Sequence, residues 1–550
     1  MNHIDRAVTG HAAEINLRPE LARHLAQRLQ AFGEGFRQNL AIIGPPGSGK
    51  TFQLQQLLTQ RPPTVIMIYC ALYRESCRSF LSRLLGSILQ AGLPEETHLS
   101  SLPETTKQPQ PPLEALLQRA ESHIPRTAAA VRTIQPLLAR RLYGEAFNRT
   151  LETIPTLLEE RGTCCVLMLD EFLFLEELGL VHAFHELGKR VMTWPSALFL
   201  LTSSYPMRAR TILRERLQLL FGQFELLTLD RLDPAATAAW IQDSLKGVRG
   251  AKTITPFLMQ WLGAYPWYLA VVLKRLRELA VLSKRPDVTE ALFLQTLWDL
   301  LGSVEGTLHQ WCASRIEGLS RHRAGTRAIE ALIHIAEGAR TTTEIGRRIG
   351  RAGLPGALQL LLDQDLVERN GMCWMVPDPI LRCWLSTILA AQRADVRLDD
   401  RDVRERFDET VRAFWVNWMR AHELSFSEQV AGLFGKFCDD TVSLDSKTGR
   451  LPKFDSVIMH RPGRPTAETY LVAQGQGKRW CASIQEGSLD EQAIASFDAF
   501  CRSQHPRPTR KVVITKAPMD QTAKLLAKTA NMWVWESEEL NVLMQLFGQL

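Results

Sequence analysis

Eight residues near the N-terminus have the types and spacing needed to hold a polyphosphate. Gly44-Pro45-Pro46-Gly47-Ser48-Gly49-Lys50-Thr51 fits the pattern G-x-x-x-x-G-K-[ST] at every fixed position. Glycines let the backbone curl so that its N–H groups point at phosphate oxygens, and the helix that follows adds its positive N-terminal end. Lys50 has the reach for β and γ phosphates, and the Thr51 hydroxyl can ligate Mg²⁺. The context agrees: the apolar run Leu40 to Ile43 precedes the loop, and Leu54, Leu57 and Leu58 follow on one helical face.

A site of this kind needs an acid at the tip of a second buried strand. Cys164 to Leu169 is such a strand, and it opens onto Asp170 and Glu171. Asp170 is the expected Mg²⁺ partner of Thr51, and Glu171 the expected base that polarises the attacking water. A third strand, Ala197 to Leu201, ends in Thr202-Ser203-Ser204. Ser203 and Ser204 are candidates to orient that water or to sense the γ phosphate. The cofactors implied are ATP and Mg²⁺.

The elements that position these residues belong to a long chain. At 550 residues, one hydrophobic core cannot serve, and several domains are expected. Apolar residues make up 45% and charged residues 23%, which excludes a largely disordered chain. The formal charge of +6 permits nucleic-acid binding without demanding it. Ten scattered cysteines show no zinc spacing or disulfide framework, so a reducing cytoplasm is the expected location. No apolar stretch of about 18 residues is present, so neither a membrane span nor an export signal is expected.

Between the strand at Thr64 to Ala71 and the strand at Cys164 lies a long stretch with a Pro-rich segment, Pro103 to Pro112, and helical patterns at Leu113 to Ala120 and Ile134 to Leu142. It reads as a helical insertion at about 95–160 on the surface of the nucleotide-binding core, either plain scaffold or a surface that binds a partner or DNA. Farther on, Arg327 to Ala336, Thr343 to Ile349 and Leu354 to Asp365 read as three helices. Leu366 to Glu368 and Met372 to Val376 flank Asn370-Gly371, a pair suited to a tight hairpin. Three helices and a hairpin make a winged helix. Arg347, Arg348 and Arg351 near the third helix and Arg369 on the wing are the candidate contacts to double-stranded DNA. Asp363 and Asp365 oppose phosphate contact, so docking to a protein stays open beside DNA binding.

Taken together, these landmarks resemble the archaeal-type ATPase family, an AAA+/STAND-related branch of P-loop proteins. Ile15-Asn16-Leu17-Arg18-Pro19-Glu20-Leu21 resembles its lead-in, Leu201 to Ser204 its sensor strand, and Phe221-Gly222 with Leu226 to Pro234 the approach to its helical lid. Gly263-Ala264-Tyr265-Pro266-Trp267-Tyr268-Leu269 resembles the glycine-x-proline signature of that lid, which places Pro266 at the nucleotide. Where the family usually has an arginine acting on a neighbouring subunit, this chain has Gln223; Arg208, Arg210, Arg214 and Arg216 lie close by. The resemblance allows a homo-oligomer, and a protein partner through the insertion or the C-terminal domain.

The fold class expected is α/β: a P-loop AAA+ core at 1–235, a helical lid at 236–320, a winged helix at 321–390 and an α/β C-terminal domain at 391–550. Val376 to Leu385 resembles the junction that, in this family, leads to a restriction-endonuclease-like domain. Helices at Phe426 to Phe437 and Leu489 to Cys501, with strands at Phe454 to Met459, Trp480 to Gln485 and Val512 to Thr515, fit an α/β order. Nucleases of that fold need an acid on one strand and Glu/Asp-x-Lys on the next, to hold Mg²⁺ and steady a water. Glu428 and Asp455 match the acidic positions, but Ser483 and Gln485 stand where the charged pair should be. A degenerate, non-cutting nuclease site is therefore expected.

Overall fold

The computed structural model describes residues 17–59, 62, 64–94, 111–215, 224–283, 287–394, 400–444, 447–460 and 469–548. Ile15, Asn16, most of the Pro-rich segment, Arg216, Phe221, Gly222 and Gln223 lie outside the described residues. The chain divides into two compact units, 1–292 with 363–365, and 293–362 with 366–550. The boundary expected at 320 thus falls inside the second unit.

The first unit is built on five parallel strands: β1 (Asn39–Ile43), β2 (Val65–Ala71), β3 (Cys164–Asp170), β4 (Ala197–Ser203) and β5 (Phe224–Thr228). Their order across the sheet is β2-β3-β4-β1-β5. The inner strands read as unbroken apolar runs because helices cover both faces. One face carries the helices Pro19–Gly33 and Lys50–Thr59 through Leu25, Leu29 and Leu54. The other carries Cys77–Gly92 and Ala183–Thr193. The inserted helices Leu113–Ala120, Pro125–Ala139 and Tyr143–Arg161 join that second core, with Leu117, Val131, Ile154 and Leu157 buried against Leu81 and Leu85. The insertion is therefore part of the hydrophobic core of its face. Helices Pro234–Ser244, Ala251–Trp261 and Pro266–Leu282 follow the sheet.

The second unit contains the three-helix pattern read from the sequence, Gly325–Ala336, Thr342–Ile349 and Leu354–Asp363. A capping box between Thr341 and Glu344 starts the second helix. Strands β6 (Glu368–Asn370) and β7 (Cys373–Met375) form the wing, with Asn370 opposite Cys373. The hairpin closes through Gly371 and Met372, one residue later than the Asn370-Gly371 pair suggests.

The wing is fastened to the C-terminal domain. There, β8 (Asp440–Leu444) and β9 (Lys447–Leu451) form a hairpin beside a sheet of β10 (Ser456–His460), β11 (Thr469–Gly475), β12 (Lys478–Gln485), β13 (Arg510–Thr515) and β14 (Met532–Trp535). Strands β10 to β12 run antiparallel as a meander, and β12 to β14 run parallel. The Asn370 carboxamide meets the backbone of Ser443 twice, accepting from its N–H at 2.7 Å and donating to its carbonyl at 3.0 Å. Met372 N–H donates to the Thr441 carbonyl at 2.9 Å. Cys373 is buried in the same core as Phe426, Phe434 and Trp480. Winged helix and C-terminal domain thus share hydrophobic core across the boundary expected at 390.

This joint is sensitive to single atoms. Asn370→Ala leaves both Ser443 backbone groups without their partner and is expected to lower the stability of the second unit by about 1–3 kcal/mol. Gly371→Ala is expected to cost more, because the new Cβ would stand 2.3 Å from the Thr441 carbonyl oxygen at a φ of +60°. Denaturant unfolding of the full chain reads both, and wild-type midpoints for the pair would show that the wing is not held there.

Candidate nucleotide-binding site

Strand register gathers the site at one edge of the sheet. Ile43 stands opposite Ser203, and Ala71 opposite Asp170, so the loop after β1 and the tips of β2, β3 and β4 meet where open α/β sheets receive ligands. The loop after β1 requires its three glycines for two reasons. Gly47 and Gly49 have φ of 78° and 95°, in the left-handed region. At Gly44 a Cβ would lie 2.6 Å from the Leu229 carbonyl oxygen. Lys50 is buried, and its Nζ donates to the carbonyls of Gly44 and Pro45 at 2.9 and 3.1 Å. The buried Ser48 Oγ has no hydrogen-bond partner, an open polar position in the wall of the loop.

Asp170 is only 3% exposed, and a buried carboxylate must be met by donors. Thr51 Oγ1 donates to its Oδ2 at 2.9 Å, and the Tyr69 hydroxyl donates to the same oxygen at 3.1 Å. Thr202 Oγ1 donates to Oδ1. Burial, followed by the charge of Asp170, pushes the Tyr69 phenol well above its ordinary range, so it remains a proton donor.

Glu171 sits in the left-handed region with φ of 58°, a strained conformation for a residue with a side chain. Its N–H donates to Thr202 Oγ1 at 3.1 Å. Its carboxylate accepts from the Ser204 N–H at 2.8 Å and from the Ser204 hydroxyl. Burial pushes the Glu171 carboxyl above the usual range; Lys50 opposes this, Asp170 adds to it, and the Ser204 bonds hold it down. The two serines separate here: Ser204 touches Glu171, while Ser203 Oγ accepts from Tyr205 N–H at 3.0 Å and its carbonyl accepts from Gly44 N–H at 3.2 Å.

The lid helix begins on the loop. Gly263 and Ala264, with φ of 67° and 54°, turn the chain so that Trp267 N–H donates to the Gly47 carbonyl at 3.2 Å. Pro266 Cγ lies 3.9 Å from where a Gly49 Cβ would be. Arg18, from the lead-in, donates to the Asp230 carbonyl. Of the arginines considered for a neighbouring subunit, Arg208 pairs with Glu176, Arg210 donates to Thr228 at 3.2 Å, and Arg214 pairs with Glu215 at 3.0 Å.

The match to known families covers the loop and the Asp170-Glu171 strand tip: the model of an AAA domain fits residues 35–190. Among solved structures, the chain is similar to a Walker-type ATPase of Pyrococcus abyssi at 15% identity, with a TM-score of 0.43, over 67% of this chain and 95% of that one. It is similar to the ORC2 protein of Aeropyrum pernix in ADPNP and ADP complexes at 16% identity, TM-score 0.41, over 73% and 95%. The third is the Aeropyrum pernix ORC1 protein in complex with DNA, at 12% identity, TM-score 0.38, over 72% and 98%. No curated protein matches the chain.

The site holds a set fit for a nucleotide and a divalent cation: loop N–H groups, a buried cation in Lys50, and the hydroxyl and carboxylate of Thr51 and Asp170. Two further donors to Asp170, Tyr69 and Thr202, are not singled out by the sequence. Thr202 stands beside Ser203 and Ser204, the candidates the strand tip offers, and Tyr69 reads as part of an apolar strand. A tyrosine two residues before the tip of the strand next to Asp170 is the signal that could have found it.

The C-terminal candidates do not converge. Glu428 closes a capping box with Ser425, accepting from its N–H at 2.7 Å and its hydroxyl at 2.6 Å. Asp455 precedes β10, but the strand beside β10 is β11, which lies in what the sequence presents as a Gly- and Pro-rich loop. Ser456 stands level with Gln474 and, through it, with Arg479. Gln485 is six residues farther along β12, about 20 Å at ~3.3 Å per residue. By alternation Asp455 shares a face with Val457 and Trp480, while Ser483 and Gln485 share the other with Cys481. The expectation that Asp455 and the Ser483/Gln485 pair occupy neighbouring strands is thus corrected. Among the described residues no group of three or more His, Cys, Asp or Glu is placed to hold a metal ion, and no helix is long and apolar enough to cross a membrane.

Lys50→Ala removes the one cation inside the loop and is expected to abolish nucleotide binding, by at least about 100-fold in affinity. Titration with a fluorescent ATP analogue measures it, and wild-type affinity in the variant would refute the assignment.

Proposed function

We propose that the chain is an ATP-binding and ATP-hydrolysing switch that acts on double-stranded DNA through its winged helix. The observation that carries the enzymatic part is the convergence of Lys50, Thr51, Asp170 and Glu171 at one sheet edge. Gly44 to Thr51 would hold the phosphates, Thr51 and Asp170 the Mg²⁺, and Pro266 would line the nucleotide from the lid. When bound, Mg²⁺ neutralises charge on the phosphates. Glu171 is the base, with its carboxylate held by Ser204 until a water takes that place. The lid reports on the loop because Trp267 bonds the Gly47 carbonyl, so reshaping of the loop is felt at the start of the helix Pro266–Leu282.

The DNA part rests on exposed cations. Arg347 and Arg351 are exposed around the turn into the helix Leu354–Asp363. Pro355, Gly356 and Gln359 are also exposed on that helix, and a Cβ at Gly356 would meet nothing within 4 Å, so a duplex could approach closely. Arg348 shares its charge with Glu337 at 3.3 Å. A second reading, a sensor or scaffold ATPase that recruits a protein, is favoured by the wing. Arg369 Nε donates to the Gly371 carbonyl at 3.0 Å and its guanidinium lies over Trp374, and the wing turn is engaged by Ser443 and Thr441. Assembly into a homo-oligomer and a cytoplasmic setting belong to the same proposal.

Glu171→Gln is expected to keep ATP affinity within about twofold while lowering turnover by 100-fold or more, because only the base is removed. Phosphate release at normal rate by this variant would exclude Glu171 as the base. For DNA, replacing Arg347, Arg348 and Arg351 together by Ala should weaken binding to all duplex sequences alike and reduce the salt slope by about 0.9 per lost phosphate contact. Absence of duplex binding by the wild-type chain, with and without ATP, would decide for protein recruitment. Supercoiled plasmid incubated with the protein and Mg²⁺ or Mn²⁺ should stay intact; nicking that vanishes in Asp455→Ala would show a working nuclease site.

A further inference from the structure

Asp170 is gripped from both sides by its neighbouring strands. Tyr69 stands on β2 and Thr202 on β4, the two strands that flank β3. The Tyr69 hydroxyl takes Oδ2 at 3.1 Å, and Thr202 takes Oδ1. Thr51, the third donor, belongs to the helix after the loop and shares Oδ2 with Tyr69. Packing alone would be served by Phe at 69. The phenol oxygen adds a donor to a buried carboxylate whose charge must be offset. Two donors on rigid strands fix the plane of the carboxylate before Thr51 or a cation meets it.

We propose that Tyr69 is a positioning residue for Asp170: with Thr202 opposite, its phenol sets the carboxylate so that the Thr51–Asp170 pair receives the divalent cation of the bound nucleotide in one orientation. Tyr69 does not contact the nucleotide. It acts through Asp170, and its loss is therefore felt in coupling to the cation and not in the grip of the loop on phosphate. The inference rests on the nucleotide and Mg²⁺ reading of the site.

The test uses the full chain and Tyr69→Phe, which keeps the ring and removes one oxygen. ATP affinity is measured in EDTA and across a Mg²⁺ titration, beside steady-state phosphate release. Affinity in EDTA is expected to match wild type, while the half-saturating Mg²⁺ rises about tenfold, the usual consequence of losing a partner behind a metal ligand. Turnover should fall with KM changed less than about twofold, since the transition state feels the misplaced cation more than the ground state does. Wild-type Mg²⁺ dependence in Tyr69→Phe overturns the inference and leaves the nucleotide reading standing. Failure of wild type to bind ATP in either condition overturns both. Should Tyr69→Phe not fold, 3-fluorotyrosine at position 69 keeps the hydroxyl: its ¹⁹F resonance is expected to move when Mg²⁺ is added to the nucleotide complex, and a resonance blind to Mg²⁺ overturns the inference.

Discussion

A carboxylate that is 3% exposed at the tip of a parallel strand is the constraint around which the first unit is arranged. Left without donors, Asp170 would carry an uncompensated buried charge, at a desolvation cost the strand edge could not absorb. Its donors come from three directions, Thr51 from the helix after the loop, Tyr69 from β2 and Thr202 from β4. That is possible only because β3 lies between β2 and β4. Thr202 then serves a second group, accepting the Glu171 N–H and so supporting the left-handed turn that points the Glu171 carboxylate at Ser204. The same edge fixes the loop, because Gly44 N–H donates to the Ser203 carbonyl and Leu229 N–H to the Ile43 carbonyl. The positions of Asp170, Glu171 and the loop after β1 are consequences of one sheet order.

Much of this arrangement is written locally. The loop from Gly44 to Thr51 and the Asp170-Glu171 strand are legible because their residues are fixed by spacing along the chain, and backbone geometry explains each glycine. Tyr69 and Thr202 are not legible in the same way. Their role depends on register between strands about 100 and 30 residues from Asp170 in sequence, and an aromatic in an apolar run or a threonine at a strand end has an ordinary structural reading. Of the inserted helices, Leu113–Ala120 is legible as observed, while the pattern Ile134 to Leu142 runs into the break between Pro125–Ala139 and Tyr143–Arg161; their burial against Leu81 and Leu85 follows from which side of the sheet the crossover takes.

The C-terminal domain shows how a single unread strand changes a chemical conclusion. Pro462, Gly463 and Pro465 dominate the pattern before β11 and conceal the short apolar run Tyr470 to Ala473. With β11 in place, β12 is two strands from β10, and the meander returns Gln485 to the far end and the opposite face from Asp455. Side-chain alternation makes this unforgiving, since position along the strand and face are both set by register. The strands β10, β12 and β13 and the helix Glu491–Ser503 are accessible from periodicity; the meander, which needs β11, and the helix Gln521–Thr529 with β14 are not.

The wing poses the sharper physical question. In a winged helix that grips DNA with its hairpin, the hairpin must offer its polar groups to phosphate or groove. Here those groups are already used: Asn370 is committed to Ser443, Met372 N–H to Thr441, and Cys373 to a core shared with Phe434 and Trp480. Releasing them for DNA would leave Ser443 and Thr441 unpaired and expose apolar surface, a cost of several hydrogen bonds and a core side chain together. If the winged helix met a duplex, as proposed, the contact would fall to the helix Leu354–Asp363 and to Arg347, Arg348 and Arg351. Three cations, one of them shared with Glu337, neutralise few phosphates. The sequence-independent part of such binding is shallow in salt, and the same exposed helix with its small residues suits a protein surface equally well.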